Sequence, residues 1–325
     1  MRRRDLGAIL AALMVTWPAA AVAQDYPTRP VTMVVPFAAG GAFDVIGRLV
    51  AARMSITLGQ PVIIENTSGG GGIVGTKRVA NAPPDGYAFL LGSIGTHAYN
   101  QTIYRKRRYD AVADFAPVAL FADQPMVLLT RKDFPAANLQ EFIAYVKSNS
   151  EKVRFGSAGV GSTTHLACAV LNSTIGVATT HVPYRGGGPA AADVVAGHID
   201  YACINLGGAA PLMKGGLVKA IAVLSHTRAP LLPTLPTADE QGLGLDISTW
   251  NAFFLPKGTP DAIVKRLNQA SSDAIDDPAI RARFHDLGVT AVAPARRTPE
   301  YLAQFVVDEI KRWAGPITAA GLQVE

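Results

Sequence analysis

The chain has 325 residues, 49% of them hydrophobic and 17% charged, with a formal net charge of +5. That is enough apolar material for a large core and about two domains. No low-complexity block, sustained repeat or long lysine/arginine stripe is present, so a repeat array and a nucleic-acid surface are both excluded as leading readings.

Arg2-Arg3-Arg4, the apolar stretch "LGAILAALMV" and the small-x-small triplet Ala21-Val22-Ala23 read as a signal peptide over residues 1–23, cut after Ala23. The apolar stretch is too short to span a bilayer comfortably. An uncleaved anchor is the alternative, and Arg3-Arg4-Asp5-Leu6 fits a twin-arginine signal only in part. Cleavage removes three Arg and one Asp and leaves a charge of +3, which suits anionic ligands without requiring them. The mature chain is expected to be soluble outside the cytoplasm.

"RPVTMVVPF" is then a buried strand, and Val45, Ile46, Leu49, Val50 and Met54 mark the apolar face of a helix that Gly59 stops. "PVIIEN" is a second strand, "TSGGGG" a loop before a short helix ending at Val79, and "YAFLLGS" a third strand. Arg105 to Arg108 form a solvated basic loop. The pattern then restarts. "MVLLTRK" is a strand, and "LQEFIAYVKSN" is an amphipathic helix with Leu139, Phe142, Ile143 and Val146 on one side. "VRFGSAG", "TTHVPY", "IDYACIN" and "VKAIAVLS" are strands, with helices at "TTHLACAVLNSTIG" and "GPAAADVVAGH". A strand "NAFFLPKG" and two long helices, "PDAIVKRLNQASSDAID" and "PEYLAQFVVDEIKRWAGPIT", follow. The fold class is α/β, with two doubly wound units joined by two crossovers near Asp123 and Trp250. Domain 1 is residues 24–122 plus 251–325, and domain 2 is residues 123–250. A ligand cleft is expected between them at the carboxyl ends of the strands. Cys168 and Cys203 lie in apolar runs; an oxidising compartment permits a bridge, but a core this large does not require one, and buried free thiols are favoured over a bridge.

Three loops are candidates for holding a ligand. Pro36 to Asp44 joins a strand to a helix; Gly40 and Gly41 leave the backbone uncovered, and the helix N-terminus adds amide donors and positive dipole. Phe37, Ala42 and Phe43 border it. Asp44 either contacts the ligand or organises the turn. The second loop, Gly156 to His165, carries Ser157, Ser162, Thr163 and Thr164, more hydroxyls than a helix cap needs. Ser93, Thr96 and His97 end the third strand. Tyr184 is a pocket wall or core, and Asn205 ends "IDYACIN".

Enzyme signatures are weak. Gly70, Gly72 and Gly75 match G-x-G-x-x-G only in letters, in the second β-to-α turn rather than the first. There is no phosphate loop, nucleophile elbow, metal-ligand spacing or acid/base carboxylate pair, so no catalytic residue, cofactor or metal is expected. A hydrolase with Ser157 or Ser162 as nucleophile and His165 as base, and a sensory binding module, remain open.

The stretches "YPTRPVTMVVPFAAGGAFD", "LGQPVIIEN…GGGGIVG", "APPDGYAFLLGSIGTHAYN", "HVPYRGGGPAAADVVAGHID" and "LPTLPTADEQGLG" resemble the Bug receptors, the extracytoplasmic binding proteins of tripartite tricarboxylate transporters. The resemblance implies a periplasmic binding protein of type II, or Venus flytrap, form. It implies a receptor that closes on a small organic carboxylate and hands it to a membrane permease, expected as a monomer, in the periplasm. It assigns one carboxylate group of the ligand to the loops Gly40–Asp44 and Ser157–His165, with Ser93, Thr96 and His97 near the site. Where the family often has an acidic residue before the asparagine of "IDYACINL", this chain has Ile204. That favours a dicarboxylate or aromatic acid over an amino acid.

Overall fold

The computed structural model describes residues 26–324, so the signal peptide expected over 1–23 lies outside the described residues. In chain order the elements are β1 (Val31–Val35), α1 (Ala42–Leu58), β2 (Val62–Asn66), α2 (Ile73–Ala80), β3 (Ala88–Ser93), α3 (Asn100–Ile103), β4 (Phe115–Arg131), α4 (Leu139–Ser148), β5 (Arg154–Ser157) and α5 (Thr163–Ile175). Next come β6 (Thr180–Pro183), α6 (Gly187–Ala196), β7 (Tyr201–Asn205), α7 (Leu206–Lys214), β8 (Val218–Val223), β9 (Ser248–Pro256), α8 (Asp261–Asp276), α9 (Pro278–Asp286), β10 (Thr290–Ala291) and α10 (Pro299–Ala319).

The strands form two units with the same order. The first runs β2-β1-β3-β9-β4 and the second β6-β5-β7-β4-β8. In each, three parallel strands meet a long antiparallel one. The strand β4 belongs to both: residues Phe115 to Pro125 pair with β9, and from Met126 onward it pairs with β7 and β8. Asp123 and Trp250, the two residues at which the sequence suggested a crossing, stand opposite each other in the β4–β9 register. The sequence began this strand at Met126, because Pro117, Asp123 and Pro125 resemble a loop. Pairing with β9, with register shifts between Pro117 and Ala119 and between Leu120 and Ala122, keeps the chain extended through them.

Apolar spacing explains which faces are buried. Ile46, Val50 and Met54 of α1 are at most 1% exposed and pack with Leu267 and Ala270 of α8 over β1 and β3. Val45 is an exception: it is 36% exposed. In α4, Leu139, Phe142 and Val146 are fully buried, as their spacing predicts. Each such side chain contributes about 1.5–3 kcal/mol. Three helices were not anticipated. α3 follows a π-helical turn at Gly95–Tyr99. α7 contains Gly207, Gly208 and Pro211, all breakers by composition, and Pro211 forgoes only the bond to the Gly207 carbonyl. α9 begins where Asp277 accepts the amides of Ala279 and Ile280 and Pro278 takes the first helical position.

Cys168 and Cys203 form a disulfide, contrary to the free-thiol expectation. Both are fully buried, Cys168 in α5 and Cys203 in β7. An apolar setting suits a thiol and a bridge equally. Only the packing of α5 on β7 brings these two together, and the sequence does not display that packing.

Candidate functional site

A cavity of about 260 Å³ opens where four helices begin. Gly41, Ala42 and Phe43 come from the start of α1; Ser162, Thr163 and Thr164 from α5; Gly187 and Gly188 from α6; Asn205, Gly207 and Gly208 from α7. First-turn amides have no helical acceptor, and each helix carries about half a positive charge at this end. No Lys, Arg, His, Asp or Glu lines the cavity among the described residues. The remaining wall is apolar, including Phe37, Val45, Ile204 and Leu212. Phe37 and Phe43 pack ring against ring, with centroids 4.8 Å apart.

Each loop is built by its own sequence. Asp44 is 4% exposed and does not line the cavity. Its carboxylate accepts the Gly40 amide at 3.0 Å, the Asn66 amide at 3.0 Å and the Arg48 guanidinium at 2.9 Å. Burial opposes its ionisation, but the hydrogen bonds from Arg48, Gly40 and Asn66 outweigh that and hold its carboxyl below the usual range. Asp44 therefore organises the turn while Gly40, at φ +81°, makes it.

In the second loop three of the four hydroxyls are already engaged. Ser157 meets His181 Nε2 at 2.7 Å and accepts the Gly159 amide at 3.0 Å. Ser162 accepts the His165 amide at 3.2 Å as the cap of α5. Thr164 accepts the Ala158 amide at 2.7 Å. Thr163 Oγ1, in the cavity wall, is buried without a partner, and so is Asn205 Nδ2. An unpartnered buried polar atom costs about 1–3 kcal/mol, which a bound ligand that pairs with it recovers.

Of the residues singled out in the sequence, Phe37, Gly40, Gly41, Ala42, Phe43, Ser162, Thr163, Thr164 and Asn205 are brought together around the cavity. Asp44, Ser93, Thr96, His97, Ser157, His165 and Tyr184 are not. Ser93, Thr96 and His97 are fully buried behind it. Thr96 Oγ1 bonds to the Ser93 backbone and to His97 Nδ1, and the His97 ring stacks on Phe254 at 3.6 Å. Gly95, in the same turn, backs onto the Thr163 amide. Tyr184 donates to Asp193 on α6. His165 Nδ1 accepts the Gly161 amide at 3.4 Å, and among the described residues no hydrogen bond joins its ring to the Ser157 or Ser162 hydroxyl; Ser157 meets His181 instead. The sequence missed Gly187, Gly188, Gly207 and Gly208. A signal was available for Gly187 and Gly188, which lie shortly after the strand "TTHVPY" and open a helix the sequence does suggest, but not for Gly207 and Gly208, whose helix α7 it does not suggest.

Behind the second loop Phe155 stacks on His181 with centroids 4.7 Å apart, and His181 packs at a tilt against His165 at 4.3 Å. Burial, with His181 adding to it at His165, lowers His165 to about 3, and burial lowers His181 to about 4 and His97 to about 3. These folded values lie below the ordinary 6.5, so from about pH 6.5 down to about 3 the unfolded chain binds more protons. The stability they contribute is present above pH 6.5 and is lost as the pH falls through that window. The melting temperature is expected to drop steadily from pH 6.5 to 4, with a shallower slope in His181→Asn. A flat profile in the parent protein contradicts this.

Two like units, a strand shared between them and an anion-favouring cavity between helix starts define a two-domain solute-binding protein of type II form. The family model for the tripartite tricarboxylate transporter family receptor (TctC) matches residues 46–322, and the chain belongs to this family. It is similar to MatC (Rpa3494) from Rhodopseudomonas palustris with bound malate, at 43% identity and a TM-score of 0.88 over 90% of this chain and 100% of that one. It is similar to the periplasmic binding protein BugD, at 37% identity and a TM-score of 0.89 over 92% and 100%. It is also similar to R. palustris Rpa4515 with adipate, at 34% identity and a TM-score of 0.86 over 91% and 99%. Among the described residues, no helix is long and apolar enough to cross a membrane.

Proposed function

We propose that the protein is a periplasmic receptor that captures a small organic carboxylate in this cavity and delivers it to the permease of a tripartite transporter. The observation that carries the reading is the meeting of four helix N-termini around a wall with no charged side chain. Backbone amides, Thr163 Oγ1 and Asn205 Nδ2 would take the carboxylate oxygens. The malate and adipate held by its relatives are ligands of that chemistry. Residues 24–122 with 251–325, and residues 123–250, would be the lobes that close on it. Export by cleavage after Ala23 would place it in the periplasm, and it would act as a monomer. Closure removes water from around the ligand and strengthens each amide contact, and no covalent step is required.

The ligand is a dicarboxylate or an aromatic acid rather than an amino acid. An ammonium group would find no carboxylate in the wall, and Ile204 occupies the place where one would stand. A thermal-shift screen is expected to show stabilisation by malate, adipate or benzoate and none by aspartate or glutamate. Thr163→Val should weaken the best acid about ten-fold, in line with about 1.5 kcal/mol for a bond to a charged group. Stabilisation by amino acids, with none by plain carboxylates, would sink this reading.

A further inference from the structure

The run Gly69 to Gly72 leads into α2. All four have positive φ, and Gly71 and Gly72 are buried, yet none of the four lines the cavity. What Gly71 faces is the other lobe. A Cβ built on Gly71 would overlap the Val160 carbonyl oxygen, and one built on Gly159 would stand 2.9 Å from the Gly71 amide nitrogen. Beside this contact, Tyr104 Oη donates to the Val160 carbonyl at 3.1 Å. A Cβ on Gly95 would stand 3.0 Å from the Thr163 amide. On the cavity's other flank, the Ala38 amide donates to the Arg185 carbonyl at 3.1 Å. There a Cβ on Gly188 would stand 3.3 Å from Gly40. The lobes thus meet backbone to backbone on both sides of the cavity.

The geometry points to Gly71 as the seat of closure, a positioning residue that sets ligand affinity without touching ligand. The proposal rests on the carboxylate-receptor reading for its ligand assay but not for its mechanical one. Only a residue without a side chain lets the Val160 carbonyl come down on this turn. The backbone at Gly71, φ +61° and ψ 27°, lies in the left-handed region that asparagine also enters. Gly71→Asn therefore keeps the local turn and inserts a wedge between the lobes. Gly70 is the matched control: it has φ +52°, and a Cβ there would meet only Ile73 of its own lobe, at 3.6 Å.

Malate and adipate serve as probes in calorimetry and small-angle scattering. Gly71→Asn is expected to lose at least ten-fold in affinity and to show no ligand-induced compaction, while Gly70→Asn behaves as the parent. Parent-like affinity and compaction in Gly71→Asn overturn the proposal. If Gly71→Asn does not fold, Tyr104→Phe carries the test, with several-fold weaker binding expected and parent-like binding overturning it. A parent that binds neither acid counts against the receptor reading alone. The mechanical assay then decides, using an Ala38→Cys/Arg185→Cys pair placed at the other lobe contact. This pair is expected to bridge on oxidation in the parent background and not in the Gly71→Asn background. Equal bridging in both, or none in the parent, overturns the proposal.

Discussion

Replacing Gly40 and Gly41 together by valine is expected to lower carboxylate affinity at least about 100-fold, or about 2.8 kcal/mol, with the fold retained. The two positions act differently. Gly40 has φ +81° and open space where a Cβ would go, so valine there meets conformational strain of about 1–3 kcal/mol rather than a clash. Gly41 has φ −82°, which any residue adopts, but its Cβ would stand 3.4 Å from the Gly188 amide nitrogen. Valine methyl groups beyond that point cover the amides of the α1 turn and prop it away from α6. A domain with the usual 5–15 kcal/mol of stability tolerates the strain; the grip does not tolerate the cover. Calorimetry with malate reads the loss, and circular dichroism reads the fold. Undiminished affinity in the folded double variant would remove the α1 turn from the site.

The second large effect concerns the bridge between Cys168 and Cys203, which closes 35 residues. Loop-closure entropy for that length is worth about 4 kcal/mol. The double variant Cys168→Ala/Cys203→Ala is therefore expected to melt about 10 °C lower. The bridge also ties α5, whose first turn carries Thr163, to β7, which ends at Asn205. Those are the two residues with unpartnered polar atoms in the cavity wall. Some loss of affinity at 25 °C is expected with the loss of stability. An unchanged melting temperature would show that packing alone fixes α5 on β7.

The sequence carried the α/β pattern because strand runs such as "VTMVV" and helical faces such as Ile46, Val50 and Met54 are local signals. It located the α1 and α5 turns because glycine and hydroxyl residues directly after a strand have a local meaning. It hid α7, whose composition of Gly207, Gly208 and Pro211 reads as a break, and with it a quarter of the helix starts around the cavity. It could not apportion the hydroxyls of the second loop. That Ser157 is engaged by His181, while Thr163 is left free, depends on β6 lying beside β5, a pairing no single stretch reveals. The same holds for Ser93, Thr96 and His97, which are at a strand end as expected but turned into the core by the π-helical turn.

A grip made mostly of main-chain amides would be weakened, but not deleted, by most exchanges of one side chain for another. The apolar part of the wall around it includes Phe37, Val45, Ile204 and Leu212. On the proposed reading, heritable change would thereby be channelled: substitutions of the wall would alter which acid fits, while the capacity to hold an acid would persist. Gene duplication would then yield paralogues of diverged preference in few steps, each keeping the inherited hold.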